Sequence, residues 1–211
     1  PRAVLASLTG LGADHAIMEA AIAAARMEGG HVTALHARID AVETAAMIEV
    51  TFPQHQHGLD VLHRITREEA ERAQHARAAF DAAIGRHALV LNDDPGTEAV
   101  SVSWRQTRSF FSETMEEARY HDLVVMGHEP ARPLERVKMG LMQSGRPLLL
   151  APARPVPVMG RSIAIAWKAS AEAARAVTAA GPLLARAGRV SILTASHNQA
   201  GDDRDRYSAE H

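Results

Sequence analysis

Cysteine is absent from the 211 residues of this chain, and aromatic residues make up only 4% of them. Without cysteine the chain can form no disulfide, use no thiolate nucleophile and hold no cysteine-ligated zinc. No apolar run approaches the roughly 20 residues that are needed to span a bilayer, and the opening residues lack the apolar core of a signal peptide. We therefore expect a cytoplasmic protein that has no membrane partner.

Charge of one sign is also scarce, because the formal net charge is −2. This balance gives no electrostatic reason to expect a nucleic acid as partner. Hydrophobic residues, many of them alanine, make up 46% of the chain. Such a composition favours close packing of helices on a sheet over a deep aromatic pocket.

The first forty residues have the pattern of a strand, a helix and a second strand. Residues 4–8 are an apolar run that ends at Thr9-Gly10-Leu11-Gly12, which is typical of a buried strand followed by a turn. Asp14 is placed to cap a helix over residues 15–28, and a second strand is predicted over residues 31–39. This order predicts a parallel βαβ unit with a right-handed crossover.

The same alternation continues to about residue 152. Three further strands are predicted, over residues 100–104, 122–126 and 147–151. Helical segments are predicted between them, over residues 61–87, 110–119 and 139–143. Residues 41–60 and 128–138 are predicted to be irregular loops. Five strands that alternate with helices predict an open parallel α/β sheet with helices on both faces.

The pattern then starts again after a proline-containing linker at residues 153–160. Its elements are a strand over 163–167, a turn with Ser170 as N-cap, a helix over 171–187 kinked at Pro182, and a strand over 190–194. We therefore predict one domain over residues 1–152. Residues 161–211 are predicted to be part of a second copy that holds only its first βαβ unit.

Two runs near the end of the first domain, from Asp122 to Gly127 and from Ser144 to Pro152, resemble the last two strands of universal stress proteins. Residues 163–170 resemble the start of the second domain in the bacterial tandem form of that family. The resemblance implies a sheet with strand order 3-2-1-4-5, a role in the stress response, a dimeric assembly and, in many members, ATP binding.

The fifth strand is the expected contact with a partner. The unpaired edge of Leu148–Ala151 can accept a strand from another sheet. We therefore expect either a homo-oligomer or pairing between the two domains of one chain.

A nucleotide cleft is expected where the order of the strands reverses. Ligands of open α/β sheets bind outside the carboxyl ends of the strands at that point. For this strand order the cleft lies between the first and fourth strands, beside Thr9, Gly10 and Gly127.

The nucleotide pattern that the resemblance implies is only half present. ATP-binding members resemble one another in a run of Gly, two residues, Gly, nine residues, Gly, and then Ser or Thr. This chain has Gly127 and Gly140, but Pro130 and Leu141 stand at the other two positions. Proline has no amide hydrogen and leucine has no hydroxyl, and Thr9 stands where those members have an aspartate. We therefore predict a degenerate nucleotide site.

The hypothesis that these observations favour is a non-enzymatic binding or regulatory protein of the stress response that has no cofactor. The chain has neither a nucleophile elbow nor a Walker phosphate loop, so we expect no enzymatic activity. One alternative is an ATP-binding protein with weak ATPase activity. This alternative would use the remaining Gly127 and Gly140 site. A basic cluster of Arg132, Arg136 and Lys138 in the same loop could hold the phosphates differently, and it is otherwise a solvated charged loop.

A second alternative is a metal site that depends on histidine. His55 and His57 would project to one side of an extended segment, and His63 could join them as a nitrogen ligand of zinc or nickel. The simpler interpretation is a surface loop in which these side chains are solvated.

Overall fold

The computed structural model describes residues 2–38, 56–93, 99–108, 112–128, 135–156 and 159–194, and of residues 56–59, 135 and 136 it describes the backbone. The chain divides into two units between residues 157 and 158. The elements of the first unit are β1 Ala3–Leu8, α1 Asp14–Arg26, β2 His31–Ala37, α2 Gln56–His87, β3 Val90–Leu91, β4 Ser101–Thr107, α3 Glu113–Ala118, β5 Leu123–Gly127, α4 Glu135–Ser144 and β6 Leu148–Ala151.

The strands of the first unit form one parallel sheet in the order β3-β4-β2-β1-β5-β6. The five longer strands follow the predicted order, so the prediction of an open parallel α/β sheet is confirmed. The sequence did not indicate β3, which adds a sixth strand at the edge beside β4. This strand has two residues, both at least half exposed, and two residues are too few to show a period.

Helices cover both faces of this sheet. On one face Phe80 of α2 packs against Trp104 of β4, with ring centroids 5.3 Å apart, and Ile17 of α1 lies beside Gly127. On the other face Ala118 of α3 packs in a cluster with four residues of the strands: Leu5, Leu35, Val124 and Met126. The reversal of strand order between β1 and β5 therefore has α1 lying directly over it.

Two segments that were predicted to be loops contribute the starts of helices. Helix α2 begins at Gln56, inside the segment predicted as irregular up to residue 60, although Gly58 lowers helix propensity by about 1 kcal/mol. Helix α4 begins at Glu135, inside the predicted charged loop. Glutamate, arginine and lysine are good helix formers, and their charge alone does not distinguish a loop from a solvated helix.

The second unit is a parallel βαβ arrangement. Its elements are β7 Ser162–Trp167, α5 Ala171–Ala179, α6 Gly181–Leu184 and β8 Arg189–Thr194. The prediction that Ser170 is the N-cap is confirmed, since its Oγ accepts from the amide of Ala173 at 3.3 Å. The predicted helix over 171–187 is instead two helices that meet at Ala180, because Pro182 lacks an amide and stands in the first turn of α6. That this unit begins a second copy of the first stays a prediction.

Among the described residues there is no helix with the length and apolar character that crossing a membrane requires.

Glu19 joins α1 to the end of α2 in the first unit. Its carboxylate accepts from Arg86 Nη1 at 2.6 Å and from His87 Nε2 at 2.8 Å. Burial raises the pKa of Glu19, but the hydrogen bonds from His87 and Arg86 outweigh it, and the pKa is lower than usual. A carboxyl group whose pKa is lowered by folding stabilises the fold above its unfolded pKa, and this stability is lost as the pH falls through the folded pKa.

We expect Glu19→Gln to lower the free energy of unfolding at pH 7 by about 1 kcal/mol, a magnitude typical of a partly exposed ion pair. The loss relative to wild type should shrink as the pH falls below about 4.3, the ordinary pKa of glutamate. Urea denaturation at pH 7 and below about pH 4.3 measures this loss of stability. Glu71→Gln, on the exposed side of α2, is the control. Equal stability of wild type and Glu19→Gln at pH 7 would contradict the prediction.

Candidate functional site

The turn that follows β1 is closed by a side chain from α1, the helix that comes after it. The Asp14 carboxylate accepts from the amide of Thr9 at 2.8 Å, from the amide of Gly10 at 2.7 Å and from the Thr9 hydroxyl at 3.2 Å. The amide of Leu11 donates to Thr9 Oγ1 at 3.3 Å. The amides of residues 9, 10 and 11 are therefore all used inside the turn.

This role of Asp14 differs from the cap that the sequence predicted. Asp14 is the first residue of α1, and the N-cap position falls on Ala13, which makes no capping bond through its side chain. Asp14 is buried, with 2% of its surface exposed. Burial raises the pKa of its carboxyl group, and the hydrogen bonds from Thr9 and Gly10 oppose that rise without cancelling it.

Helix α2 lies directly against the glycine of this turn. Gly10 has a φ of +73°, and a Cβ atom added to it would overlap the backbone of Arg72. A positive φ is available to glycine at little cost, and the missing side chain lets the two backbones touch. The end of β1, where a ligand was expected, is therefore covered by α2.

A buried pair of ionisable side chains lies one turn of α2 before that contact. His36 stands near the end of β2, and its Nε2 is 3.3 Å from Oε1 of Glu69 on α2. Only 1% of His36 and 6% of Glu69 are exposed. The two atoms lie close together without the alignment of a hydrogen bond, while His36 Nδ1 is 3.2 Å from the carbonyl oxygen of Leu8.

The sequence analysis missed both members of this pair. One signal for Glu69 was available, since it stands in the apolar stripe of α2 with Ile65, Ala76 and Phe80 at helical spacing. A carboxylate within an apolar stripe indicates a buried charge that needs a partner. Nothing in the local sequence identifies His36 as that partner, because strand pairing and the crossover bring the two together.

The two glycines that matched the nucleotide pattern have packing roles. A Cβ atom at Gly127 would lie 2.7 Å from Ala13 Cβ and 3.1 Å from Ile17 Cδ1, so this glycine lets α1 approach the sheet. A Cβ atom at Gly140 would lie 3.0 Å from the sulfur of Met126, so this glycine lets α4 approach the opposite face. Close contact between helix and sheet explains both without a ligand.

The other candidates for phosphate binding are described only in part. Arg132 and Pro130 lie outside the described residues, and of Arg136 only the backbone on α4 is described. Lys138 is exposed on α4, and Leu141 on the same helix is 52% exposed. The predicted basic cluster thus includes residues at the start of a helix.

The structure does not place His57 on the extended segment that the metal hypothesis predicted. His57 is part of α2, and His63 is exposed on the same helix, while His55 lies outside the described residues. Over the ranges that the structure describes, no group of three or more histidine, aspartate or glutamate side chains is arranged to hold a metal ion.

No family model and no curated protein matches the sequence. Three solved structures illustrate what the fold is similar to. A hypothetical protein whose biochemical function was assigned from its structure is 15% identical, covering 74% of this chain and 98% of that chain with a TM-score of 0.40. A universal stress protein in complex with cAMP is 14% identical, covering 72% and 96%, with a TM-score of 0.36. A member of that family from Burkholderia pseudomallei is 17% identical, covering 71% and 94%, with a TM-score of 0.39.

The α/β fold stands on the strand order and register of the chain itself.

The contact between Gly10 and α2 is tested by comparing two glycines of the same turn. We expect Gly10→Ala to lower the free energy of unfolding by more than about 1–2 kcal/mol, the cost of left-handed backbone alone, because the methyl group also displaces α2. Gly12→Ala should change it by less than about 1 kcal/mol, since nothing lies within 4 Å of its added Cβ atom. Urea denaturation of both variants measures this, and equal effects would contradict the contact.

Proposed function

We propose that this chain is a non-enzymatic binding protein of the universal-stress-protein type whose nucleotide cleft is occupied by its own side chains. The observation that carries the proposal is the carboxylate of Asp14, which accepts from the amides of Thr9 and Gly10. Amides at a glycine turn before a helix are the donors that an anionic ligand would use. In this chain an internal anion already uses them.

Replacing that internal anion by a ligand carries a definite cost. A phosphate group at the turn would leave the buried Asp14 carboxylate without the donors it now has. A buried polar group that loses its partner costs about 1–3 kcal/mol, more if it is charged. At 1.4 kcal/mol per factor of ten, such a loss weakens nucleotide binding by about one to two orders of magnitude, before any movement of α2 is counted.

The alternative of a weak ATPase depends on the Gly127 and Gly140 pattern. Because both glycines are explained by packing against Ala13, Ile17 and Met126, their presence does not favour a nucleotide. Lys138 is exposed, and it is the member of the basic cluster whose side chain the structure describes. It could bind phosphate in place of the glycine site. The function proposed is therefore recognition of a partner, with ATP binding as the competing outcome of the test.

Titration calorimetry of the wild-type chain with ATP and magnesium tests the proposal. We expect no saturable binding of ATP at concentrations up to about 1 mM and no release of phosphate above that of buffer. A dissociation constant of about 1 mM corresponds to a binding free energy of only about 4 kcal/mol. Saturable binding in the micromolar range would overturn the proposal. If such binding occurred, its loss in Lys138→Ala would assign it to the basic cluster.

The partner-binding surface we propose is the free edge of β6. Within the described residues β6 pairs with β5 on one side, and Leu150 on this strand is 42% exposed. Leu148 of β6 lies against Gly140 of α4, and on that helix Met142 is 84% exposed. An edge strand with exposed apolar neighbours favours pairing with a strand of a second copy.

Sedimentation velocity of two edge variants tests this surface. We expect the wild-type chain to form dimers and Leu150→Lys to shift them towards monomers by at least about tenfold in dissociation constant, because the charge cannot be buried unpaired. Val90→Lys, on β3 at the opposite edge of the sheet, is the matched control, since Val90 is 50% exposed. Loss of dimers in Val90→Lys alone would indicate that the dimer contact lies at the β3 edge. A monomeric wild type would refute the proposed contact.

A further inference from the structure

His121, which follows α3, is a buried imidazole whose two ring nitrogens both have partners. Only 6% of its surface is exposed. Its Nδ1 lies 2.9 Å from the carbonyl oxygen of Glu117 in α3, and its Nε2 lies 3.0 Å from Oγ1 of Thr33 on β2. The side chain therefore ties the end of α3 to a central strand of the sheet.

These partners determine where the ring of His121 carries its hydrogen. A carbonyl oxygen can only accept a hydrogen bond, so Nδ1 carries a hydrogen and donates it to Glu117. In the neutral ring Nε2 then presents a lone pair, which accepts from the hydroxyl of Thr33. The neutral imidazole thus satisfies both nitrogens, and a proton added at Nε2 would force the Thr33 hydroxyl to turn its hydrogen elsewhere.

Two carboxylates act on His121 electrostatically, and both are already engaged by other groups. Glu117 accepts from Arg105 Nη1 at 2.8 Å, and Asp122 accepts from two backbone amides beside the start of β1 at 2.9 Å and 3.0 Å. Arg105 is itself a cation that opposes a positive charge on His121. An imidazolium at this position would therefore be buried without a carboxylate of its own, which is costly.

Two further ionisable groups on the neighbouring elements are bases. His31 lies on β2 on the same face as the hydroxyl that contacts His121, and its two ring nitrogens are each 2.8 Å from a serine hydroxyl of β4. Arg146, just before β6, donates through Nε to a backbone carbonyl after α3 at 3.0 Å. Neither side chain can supply the negative charge that a protonated His121 would need.

The direction of the pH dependence follows from burial. Burial lowers the pKa of His121, and the hydrogen bond to the Glu117 carbonyl and the carboxylates of Glu117 and Asp122 oppose that fall without cancelling it. The unfolded chain, with an ordinary histidine pKa of about 6.5, therefore takes up this proton at a higher pH than the folded chain does. Below about pH 6.5 the folded arrangement loses stability, by up to about tenfold in its equilibrium constant per pH unit, until the folded pKa is reached.

We propose that His121 is an acid-sensitive anchor of α3, which holds that helix on the sheet while the ring is neutral and releases it when the ring is protonated. The helix has only six residues, and its Ala118 packs in one cluster with Leu5, Leu35 and Val124 of the strands. Release therefore exposes apolar side chains of the sheet. Exposed apolar patches favour contact with another protein. This device lies apart from the β1 turn and the β6 edge, so it does not rest on the proposed function.

Hydrogen–deuterium exchange of the full chain at several pH values tests the anchor. Protection factors, which correct for the pH dependence of exchange itself, are compared for residues 116–121 and for residues 17–25 of α1, most of which are buried. We expect protection of residues 116–121 to stay constant from about pH 8 to pH 7 and to fall at least about fivefold between pH 6.5 and pH 5. Residues 17–25 should change much less.

His121→Gln separates the anchor from a general effect of acid. Its side-chain amide has a donor and an acceptor but does not take up a proton, so protection of residues 116–121 should stay constant over the same pH range. His75→Gln, which removes an exposed histidine from α2, should behave as wild type. Wild-type protection that does not fall with the pH, or an equally steep fall in His121→Gln, would overturn the anchor.

An NMR titration of the wild-type chain covers the case in which His121→Gln does not fold, as judged by circular dichroism. The ring resonances of His121 should titrate below about pH 6.5, the ordinary pKa of histidine. The loss of protection at residues 116–121 should begin below that same pH. A ring that titrates at or above pH 6.5, or protection that is lost only above it, would overturn the anchor. Because no nucleotide is present, the outcome does not depend on whether the cleft binds one.

Discussion

The hydrogen bonds from the amides of Thr9 and Gly10 to the Asp14 carboxylate set the conformation of the turn at the end of β1. A glycine turn in front of a helix presents donors to an anion. In this chain the anion is supplied five residues later by the helix that the turn introduces. These hydrogen bonds shape the turn and tie it to the first residue of α1.

Helix α2 also covers the end of β1, over a larger area than the Asp14 side chain does. The backbone of α2 touches Gly10 at Arg72, and Glu69, one turn earlier, reaches the end of β2 at His36. Helix α2 therefore approaches the ends of both β1 and β2. Gly127 and Gly140 work in the same direction, because each lets a helix lie close to the sheet where a larger residue could not.

Gly127 and Gly140 show that a match to a motif does not by itself establish what a residue does. A glycine in a phosphate-binding pattern and a glycine at a tight contact look the same in the sequence. They differ in what surrounds them, and at Gly127 the neighbours are the apolar side chains of Ala13 and Ile17. The absent hydroxyl at Leu141 was readable in the sequence, whereas the occupied amides of the turn were not.

The sequence by itself determined the parallel alternation of strands and helices and the cap at Ser170, because each depends on local periodicity or on a residue within a few positions. The order of the five longer strands was predicted from a family resemblance and not from any local pattern. The starts of α2 and α4 were missed because charged helix formers resemble a solvated loop, and β3 was missed because two residues carry no pattern. Only the tertiary structure decided that Asp14 turns back to the β1 turn, that His36 meets Glu69 and that Gly10 lies under α2. The contacts of His36 and Gly10 join the ends of β2 and β1 to α2 across the long connection that follows β2, and no local pattern records which residues will face each other across it.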